Sequence, residues 1–343
     1  MDISRPPRRV HVFSHPRSAC HLFFQLLGSH PSFQKLKHLN CSDGYCLASD
    51  FQSSYPRENW KYARGNPPDE SIAGITWQSV LDGLQQNVFE AETKGKCPIA
   101  LDHPVFMMSS STVNAHISVP GRETKPIPVV VDRMLDTEGR CQPPGSSTSL
   151  AIHRNPTLLP DRFFFSFTPI ITIRHPARII PSYARAMHAH KGELFDTEFP
   201  VMAVSFRLER LIFESFKSFE EARAAEEGRD VRIPIVVDGE KLVKDPHGQM
   251  KKVCTLLGID EEGIKYTWDP PKLRENANTG KTFFAAINQS TGVVADDRFD
   301  KPLDIQEEAQ KWVEEWDEPT AVAMEKMVAS AMEDYEYLYQ FSL

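Results

Sequence analysis

Residues 9–28 read RVHVFSHPRSACHLFFQLLG, and the fold prediction depends on this stretch. The segment Arg9–Phe13 is a short run rich in β-branched and aromatic residues, which predicts a strand. Beyond Ser14-His15-Pro16 the apolar residues recur at helical spacing, and Gly28 provides the stop. These helical positions are Leu22, Phe23, Leu26 and Leu27. A strand therefore passes through a tight loop directly into a helix.

The loop between this strand and helix has the chemistry of an anion site. The first turn of the helix leaves the backbone N–H groups of residues 18–21 without helical acceptors, and the helix dipole adds positive potential. Arg17 contributes a fixed charge, and Ser18 contributes a hydroxyl donor. No G-x-x-x-x-G-K-[ST] pattern is present, so nucleotide hydrolysis is disfavoured. The alternative interpretation is an ordinary strand–helix turn with a surface arginine.

A second basic element follows another predicted strand. The order Ile173-Arg174-His175-Pro176 places Arg174 at the carboxyl edge of the sheet, where ligands bind in open α/β folds. Ser182 lies eight residues further on, in the next helix, where it can face the same anion. The alternative is an arginine that pairs with a surface carboxylate.

Strands and helices alternate along most of the chain. The predicted elements beyond residue 28 are a helix Trp77–Glu92 after Thr76, a strand Pro98–Leu101, a strand Ile170–Ile173, a helix from about Ala177 to Lys191, a helix from about Val201 to Glu227, a strand Ile233–Val237, a helix Gly248–Leu257 and a mostly helical tail Ile305–Tyr339. This alternation predicts an α/β fold with a central parallel sheet flanked by helices and a helical C-terminal region. On the long helix we expect Glu209 and Glu214 to lie on the solvated face.

We expect residues 1–343 to form one domain. Within it, residues of about 120–160 hold seven prolines and predict an irregular lid or substrate loop, whereas about 260–343 form a C-terminal, mostly helical extension.

Composition excludes several classes of function. The chain has 39 basic and 47 acidic residues, a net charge of −8, so a nucleic-acid partner is disfavoured. The most apolar stretch is too short for a membrane span. Six cysteines are scattered, which predicts reduced thiols in the cytoplasm, and Cys41 and Cys46 without a second pair do not predict a metal site.

The two basic elements together resemble motifs of the sulfotransferase family, whose members use 3′-phosphoadenosine-5′-phosphosulfate (PAPS) as donor. The order Arg17-Ser18-Ala19-Cys20-His21-Leu22 is similar to its [KR]-S-G-T-T-x-L loop, and Arg174 with Ser182 matches its R-[DN]-P element. A third stretch, residues 238–258, resembles its Y-E-D-L-x-x-D-P…F-L-G segment. The variants look like those of divergent sulfotransferase-like proteins that are common in fungi, often among secondary-metabolism enzymes.

The resemblance implies a P-loop-like sulfotransferase fold with roles for particular residues. The loop residues Arg17, Ser18, Ala19, Cys20, His21 and Leu22 would hold the phosphosulfate. Arg174 and Ser182 would hold the 3′-phosphate, and Arg17 would neutralise the leaving oxygen. His103, which follows the strand at 98–101, would take the proton from the acceptor hydroxyl, with His21 as the alternative base. The acceptor would be a small hydroxylated or phenolic metabolite; its identity and the oligomeric state stay open.

Three departures from the family pattern keep two other functions open. Ala19 replaces a glycine, a mild change if the backbone there stays helical, and Cys20 and His21 replace a hydroxyl pair. The glycine-rich R-K-G-x-x-G-D-W arm is absent. One alternative is a repurposed enzyme that uses its histidines for PAPS-independent elimination, isomerisation or cyclisation. The other is a non-catalytic nucleotide-binding protein.

Overall fold

The core of the molecule is a five-stranded sheet in which every paired neighbour is parallel. It is seen in a computed structural model that describes residues 9–36, 75–118, 124, 126–133, 155–191, 203–270, 283, 285–295 and 303–343. The strands are β1 Val10–Ser14, β2 Phe33–Lys35, β3 Cys97–Asp102, β4 Thr168–Ile173 and β5 Ile235–Asp238, in the spatial order β2-β3-β1-β4-β5. The predicted α/β class is confirmed.

Helices connect and cover these strands. They are α1 Cys20–Leu27, α2 Trp77–Thr93, α3 Ser110–His116, α4 Asp161–Phe164, α5 Pro176–Lys191, α6 Phe206–Glu227, α7 Gly239–Lys244, α8 Pro246–Leu257, α9 Ala285–Gln289, α10 Ile305–Glu315 and α11 Glu318–Tyr339. The predicted helical C-terminal region is present as α10 and α11. These two helices pack against α5 and against each other.

The central strand β1 is buried along its whole length and separates two apolar cores. Val10 and Val12 point into the core beneath α1 and α8. Phe13 points to the opposite core, which contains α6 and the C-terminal helices. Because side chains alternate across a strand, an apolar run such as this one is expected where a parallel sheet is covered on both faces.

Several element boundaries differ from the sequence prediction. Strand β5 runs over Ile235–Asp238 instead of Ile233–Val237, because Ile233 lies outside the core with 44% of its surface exposed. Helix α8 begins two residues earlier than Gly248, at Pro246, since Asp245 caps it by accepting from the Gly248 N–H. The long helix α6 begins at Phe206.

Some elements of the structure were not predicted, and some predicted segments lie outside the described residues. Strand β2 and helices α3, α4, α7 and α9 were missed. Residues 40–69 and most of 120–160 lie outside the described residues. Within the latter, residues 126–133 form neither helix nor strand, and Val129 is 88% exposed.

The strand order determines where a ligand can bind. From β1 the chain proceeds to β2 and β3 on one side, and then crosses to β4 and β5 on the other side. In open α/β sheets the crevice at such a switch, outside the carboxyl ends of the strands, is the usual binding position. Here that position is the loop Ser14–Ala19, between the ends of β3 and β4.

Candidate active site

The loop after β1 has an unusual backbone. Arg17 and Ala19 both adopt left-handed conformations, with φ of 72° and 63°, whereas Ser18 between them does not. Alternating left- and right-handed residues turn successive N–H groups toward one concavity, which binds anions. The condition under which alanine in place of glycine would be a mild change, a right-handed helical backbone at Ala19, is therefore not met. A left-handed alanine costs about 1–2 kcal/mol, and the loop keeps this geometry against that cost.

Ser18 contributes to this concavity through its main chain. Its side chain is fully buried, and its hydroxyl donates to the His15 carbonyl over 3.0 Å. The Thr172 hydroxyl, on β4, lies 3.0 Å from the same oxygen. The Ser18 hydroxyl, which was expected to face an anion, instead links the loop to Thr172 of β4.

The next residues have different environments. Cys20 is buried in the α1–α8 core, and burial raises the pKa of its thiol, against hydrogen bonds from Ser14 and Ser18 and the charge of Arg17, which lower it. At neutral pH it is therefore an uncharged packing residue. His21 and Leu22, in the first turn of α1, are both partly exposed at the mouth of the loop.

Arg17 joins three distant parts of the chain. Its Nε donates to Ser182 Oγ on α5 over 2.9 Å, and its Nη1 donates to the Phe283 carbonyl over 2.8 Å. Burial lowers the pKa of Arg17, and the nearby Arg185 lowers it further, although Cys20 opposes the change. The guanidinium of an arginine stays protonated in proteins, so Arg17 supplies a fixed and oriented positive charge.

Arg174 lies at the end of β4 and faces the end of β5. Its Nε is 3.6 Å from Glu240 Oε1, and Arg178 Nε approaches the same oxygen at 3.9 Å. Arg174 is only 15% exposed and Glu240 25%. The structure thus joins Ser182 to Arg17 and puts a carboxylate beside Arg174.

His103 follows β3 and lies beside the anion loop. Its Nδ1 is 2.7 Å from the Ser14 carbonyl oxygen, which only accepts, so Nδ1 carries the proton. The lone pair of the neutral ring is therefore on Nε2. The preceding Asp102 is turned into the core, where its Oδ2 contacts His11 Nε2 at 2.8 Å. Ser14 at the end of β1 orients His103 through its carbonyl, and the Ser14 hydroxyl oxygen also lies 3.3 Å from Nδ1.

A buried pair that sequence reasoning missed lies behind the loop. His15 Nδ1 is 3.1 Å from Glu209 Oε1, and each side chain is 1% exposed. The prediction that Glu209 lies on a solvated face is wrong, since α6 presents it to β1. The available signal was position, because Glu209 shares one helix face with apolar Phe206 and Phe213.

His175 stands at the Asp or Asn position of the R-[DN]-P motif and accepts a hydrogen bond at the start of α5. Its Nδ1 accepts a hydrogen bond from the Ala177 N–H over 3.1 Å, at the start of α5. Burial lowers its pKa to about 4, and the charge of Arg178 contributes to the shift. The ring is therefore neutral at pH 7, as an acceptor must be.

Gly239 holds the loop against β5. A Cβ at this position would overlap the carbonyl oxygen of Ser18, so the absence of a side chain lets α7 approach the loop closely. Asp238, immediately before it, accepts from the N–H groups of Glu240 and Lys241 and caps α7. The segment 238–258 therefore packs directly against the loop that contains Arg17 and Ser18.

Other site types find no support within the described ranges. None of the described helices combines the length and apolarity needed to cross a bilayer. In the same residues no group of three or more His, Cys, Asp or Glu side chains is arranged to hold a metal ion. What the geometry offers is a candidate anion concavity beside His103, whose neutral ring has its lone pair on Nε2.

Comparison with known proteins yields relatives along nearly the whole chain. No family model matches. A curated protein named sulfotransferase ppzF from Metarhizium majus is 25% identical over 345 residues, covering 97% of this chain and 96% of that protein. Its namesake from Metarhizium rileyi is 24% identical, with 97% and 95% covered.

Solved structures were also found. A sulfotransferase domain from the curacin biosynthetic pathway has a TM-score of 0.42 at 15% identity and covers 91% of this chain and 98% of that one. A sulfotransferase domain from the Synechococcus PCC 7002 olefin synthase has a TM-score of 0.36 at 14% identity, with 91% and 95% covered.

The fold and the loop define an α/β protein with a candidate anion site at the carboxyl end of its central strand. Within that class, the three motifs in order and the similarity to two curated sulfotransferases along nearly the whole chain support a divergent sulfotransferase-like family. The resemblance found in the sequence is confirmed.

Proposed function

We propose that this protein transfers a sulfuryl group from PAPS to the hydroxyl of a small hydroxylated or phenolic secondary metabolite. The observation that carries the proposal is the loop after β1, in which left-handed Arg17 and Ala19 form an anion concavity beside His103. A phosphosulfate needs a concavity of N–H groups, and an acceptor hydroxyl needs a base next to it.

The donor would bind across the carboxyl ends of β1 and β4. The backbone of residues 18–22 would hold the 5′-phosphosulfate, with Arg17 at the bridging oxygen. Arg174 and Ser182 would hold the 3′-phosphate. The Arg17–Ser182 contact of 2.9 Å supports this, because it links the two phosphate elements.

The transfer step requires one base and no metal ion. His103 Nε2 takes the proton of the acceptor hydroxyl as the acceptor oxygen forms its bond to sulfur. The bond between sulfur and the 5′-phosphate oxygen breaks, and 3′-phosphoadenosine-5′-phosphate (PAP) departs with its charge stabilised by Arg17. Positioning and charge stabilisation supply most of the rate, as in phosphoryl transfer. His21 is the alternative base.

We also infer the domain extent, the compartment and the origin of the protein. We expect one domain over residues 1–343 that acts in the cytoplasm, and the free thiols of Cys20, Cys97 and Cys254 support a reducing compartment. The similarity to two fungal sulfotransferases supports a fungal origin and a small-molecule acceptor.

Calorimetric titration with PAP tests the donor site directly. We expect micromolar binding by the wild type and a loss of about 2 kcal/mol or more in Arg174→Ala, because a charge-assisted contact disappears. Arg207→Ala, which removes an arginine of α6 that pairs with Asp334 of α11, is the matched control and should bind normally. Equal affinity in all three proteins would refute the assignment of Arg174.

A further inference from the structure

The predicted 3′-phosphate site is unusual because its arginine already faces carboxylates. Glu240 Oε1 lies 3.6 Å from Arg174 Nε and 3.9 Å from Arg178 Nε. Asp238, buried at the end of β5, acts on Arg174 by its charge as well. A phosphate arriving at Arg174 therefore meets these carboxylates together with the guanidinium.

The carboxylates around Arg174 and Arg178 have different partners. Arg178 Nη1 also pairs with Glu308 Oε1 at 3.2 Å, so Arg174 and Arg178 face Asp238, Glu240 and Glu308. Lys241 acts on Asp238 by its charge and Lys311 Nζ lies 2.8 Å from Glu308 Oε1, whereas the cations that act on Glu240 are Arg174 and Arg178. Burial raises the pKa of Glu240. The charge of Asp238 raises it further, whereas the charge of Arg174 lowers it. Charges within about 4 Å interact strongly at partly buried sites, so a phosphate dianion is opposed here.

The position of Glu240 is fixed by the backbone around it. Its N–H donates to Asp238 Oδ1 over 2.9 Å, in the first turn of α7. The neighbouring Gly239 packs directly on the Ser18 carbonyl, which ties α7 to the anion loop. The Glu240 side chain extends from this anchored turn to Arg174 and Arg178, between the ends of β4 and β5.

From this arrangement we infer that Glu240 is a specificity-determining residue that lowers the preference of the site for nucleotides carrying a 3′-phosphate. The inference rests on the proposed function, since it concerns the same nucleotide site. The 5′ end of the ligand is bound by the loop and Arg17, which Glu240 does not oppose. Discrimination between PAP and adenosine 5′-phosphate (AMP) is consequently weak in this protein and is restored when the Glu240 charge is removed.

The test compares the affinities of PAP and AMP by calorimetry in matched variants. In Glu240→Gln we expect PAP to bind about tenfold more tightly and AMP to change by less than about twofold, because only PAP places charge at Arg174. Glu308→Gln removes the same charge one arginine further away and should give a smaller gain. In Arg174→Ala the affinities for PAP and AMP should converge.

The outcomes separate the two hypotheses. If the wild type binds PAP in an Arg174-dependent manner and Glu240→Gln leaves the PAP/AMP ratio unchanged or lowers it, the role of Glu240 is refuted and the proposed function stands. If neither nucleotide binds wild type or Glu240→Gln at millimolar concentration, both are refuted. Circular dichroism verifies folding; should Glu240→Gln fail to fold, Glu240→Ala carries the same prediction, since alanine suits α7.

Discussion

His103 shows how much of the chemistry is decided by one hydrogen bond. Its Nδ1 donates to the Ser14 carbonyl over 2.7 Å, so a neutral ring keeps its lone pair on Nε2. Asp102, the adjacent carboxylate, pairs with His11 inside the sheet instead. The carbonyl therefore fixes the tautomer of His103 without placing a negative charge beside Nδ1.

Replacing His103 by Gln should separate binding from chemistry. We expect sulfuryl transfer to fall by about 10²–10⁴-fold, because the general base is lost, while PAP affinity stays within about twofold. The assay follows release of 4-nitrophenol from 4-nitrophenyl sulfate in the presence of PAP, which runs the transfer in reverse. His21→Gln is the control for the alternative base. Retained activity in His103→Gln with loss in His21→Gln would reverse the assignment.

His175 makes the stability of the protein depend on pH. Its pKa is lowered to about 4 by burial and Arg178, against about 6.5 for a histidine in the unfolded chain. The unfolded state binds the proton more readily, so the contribution of His175 is complete above about pH 6.5. It is lost as the pH falls toward about 4.

Urea unfolding between pH 7.5 and 4.5 measures this effect. We expect the unfolding free energy of the wild type to fall more steeply than that of His175→Asn, whose amide oxygen can accept from Ala177 N–H without titrating. His116→Asn, which changes an exposed histidine at the end of α3, should parallel the wild type. Parallel curves for His175→Asn would show that the ring does not titrate in this window.

At the scale of elements, the approach of α7 to the β1–α1 loop holds the site in shape. Gly239 begins α7 and packs on the Ser18 carbonyl, and the Ser18 hydroxyl is in turn bonded to the His15 carbonyl. Strands β1 and β5 are separated by β4 in the sheet. The contact therefore passes above the edge of the sheet and connects strands that do not pair.

Gly239→Ala should disturb both stability and the anion loop. We expect a loss of about 1–3 kcal/mol, the usual cost of overpacking, and a weaker affinity for PAP because the Ser18 carbonyl must shift. Gly292→Ala is the matched control, since its added methyl meets the nearest atom, the Tyr266 carbonyl oxygen, at 3.3 Å. Chemical denaturation and PAP titration of both variants provide the measurement. Identical behaviour of the two would show that α7 yields without cost.

The order of strands and helices along the chain explains which parts of the fold could be predicted from the sequence. Strand β1 and helix α1 were found because strand and helix periodicities follow one another over residues 9–28, and Arg17, His103 and Arg174 were found because each follows a strand. Strand β2 has only three residues, too few for a pattern. Its pairing with β3 is a tertiary effect.

Contacts between distant segments were beyond the sequence for a physical reason. His15 and Glu209 are separated by 194 positions, and their pairing depends on how α6 lies on the sheet. The Arg17–Phe283 contact spans 266 positions, and its acceptor is a carbonyl oxygen. Because every residue has a carbonyl, the residue type at position 283 does not predict this contact. Likewise the proximity of Glu240 to Arg174 follows only once β4 and β5 are known to be neighbours.

For the whole molecule, the C-terminal helices belong to the same core as the sheet. Trp312 of α10 and Met324 of α11 are fully buried in the cluster that contains Phe13 of β1. Ser342 also forms a parallel bridge to Val236 of β5. The helical extension is therefore part of the structure that supports the site.

This arrangement predicts one cooperative unfolding transition. Trp312→Ala should cost about 3–5 kcal/mol and lower the melting temperature of the entire protein. Trp316→Ala, at a half-buried position one turn further on, should cost less. Differential scanning calorimetry with far-UV circular dichroism makes the comparison. Two transitions, only one of them shifted by Trp312→Ala, would mean that the extension unfolds independently of the sheet.

Two contacts that orient the candidate chemistry end on main-chain oxygens: Arg17 on Phe283 and His103 on Ser14. Every residue carries a carbonyl, so the residue type at an accepting position does not decide whether such a bond can form. The donors differ, because these bonds use the guanidinium of Arg17 and the imidazole N–H of His103. A one-dimensional motif can therefore name the donors at positions 17 and 103, whereas their acceptors are recognised only in three dimensions.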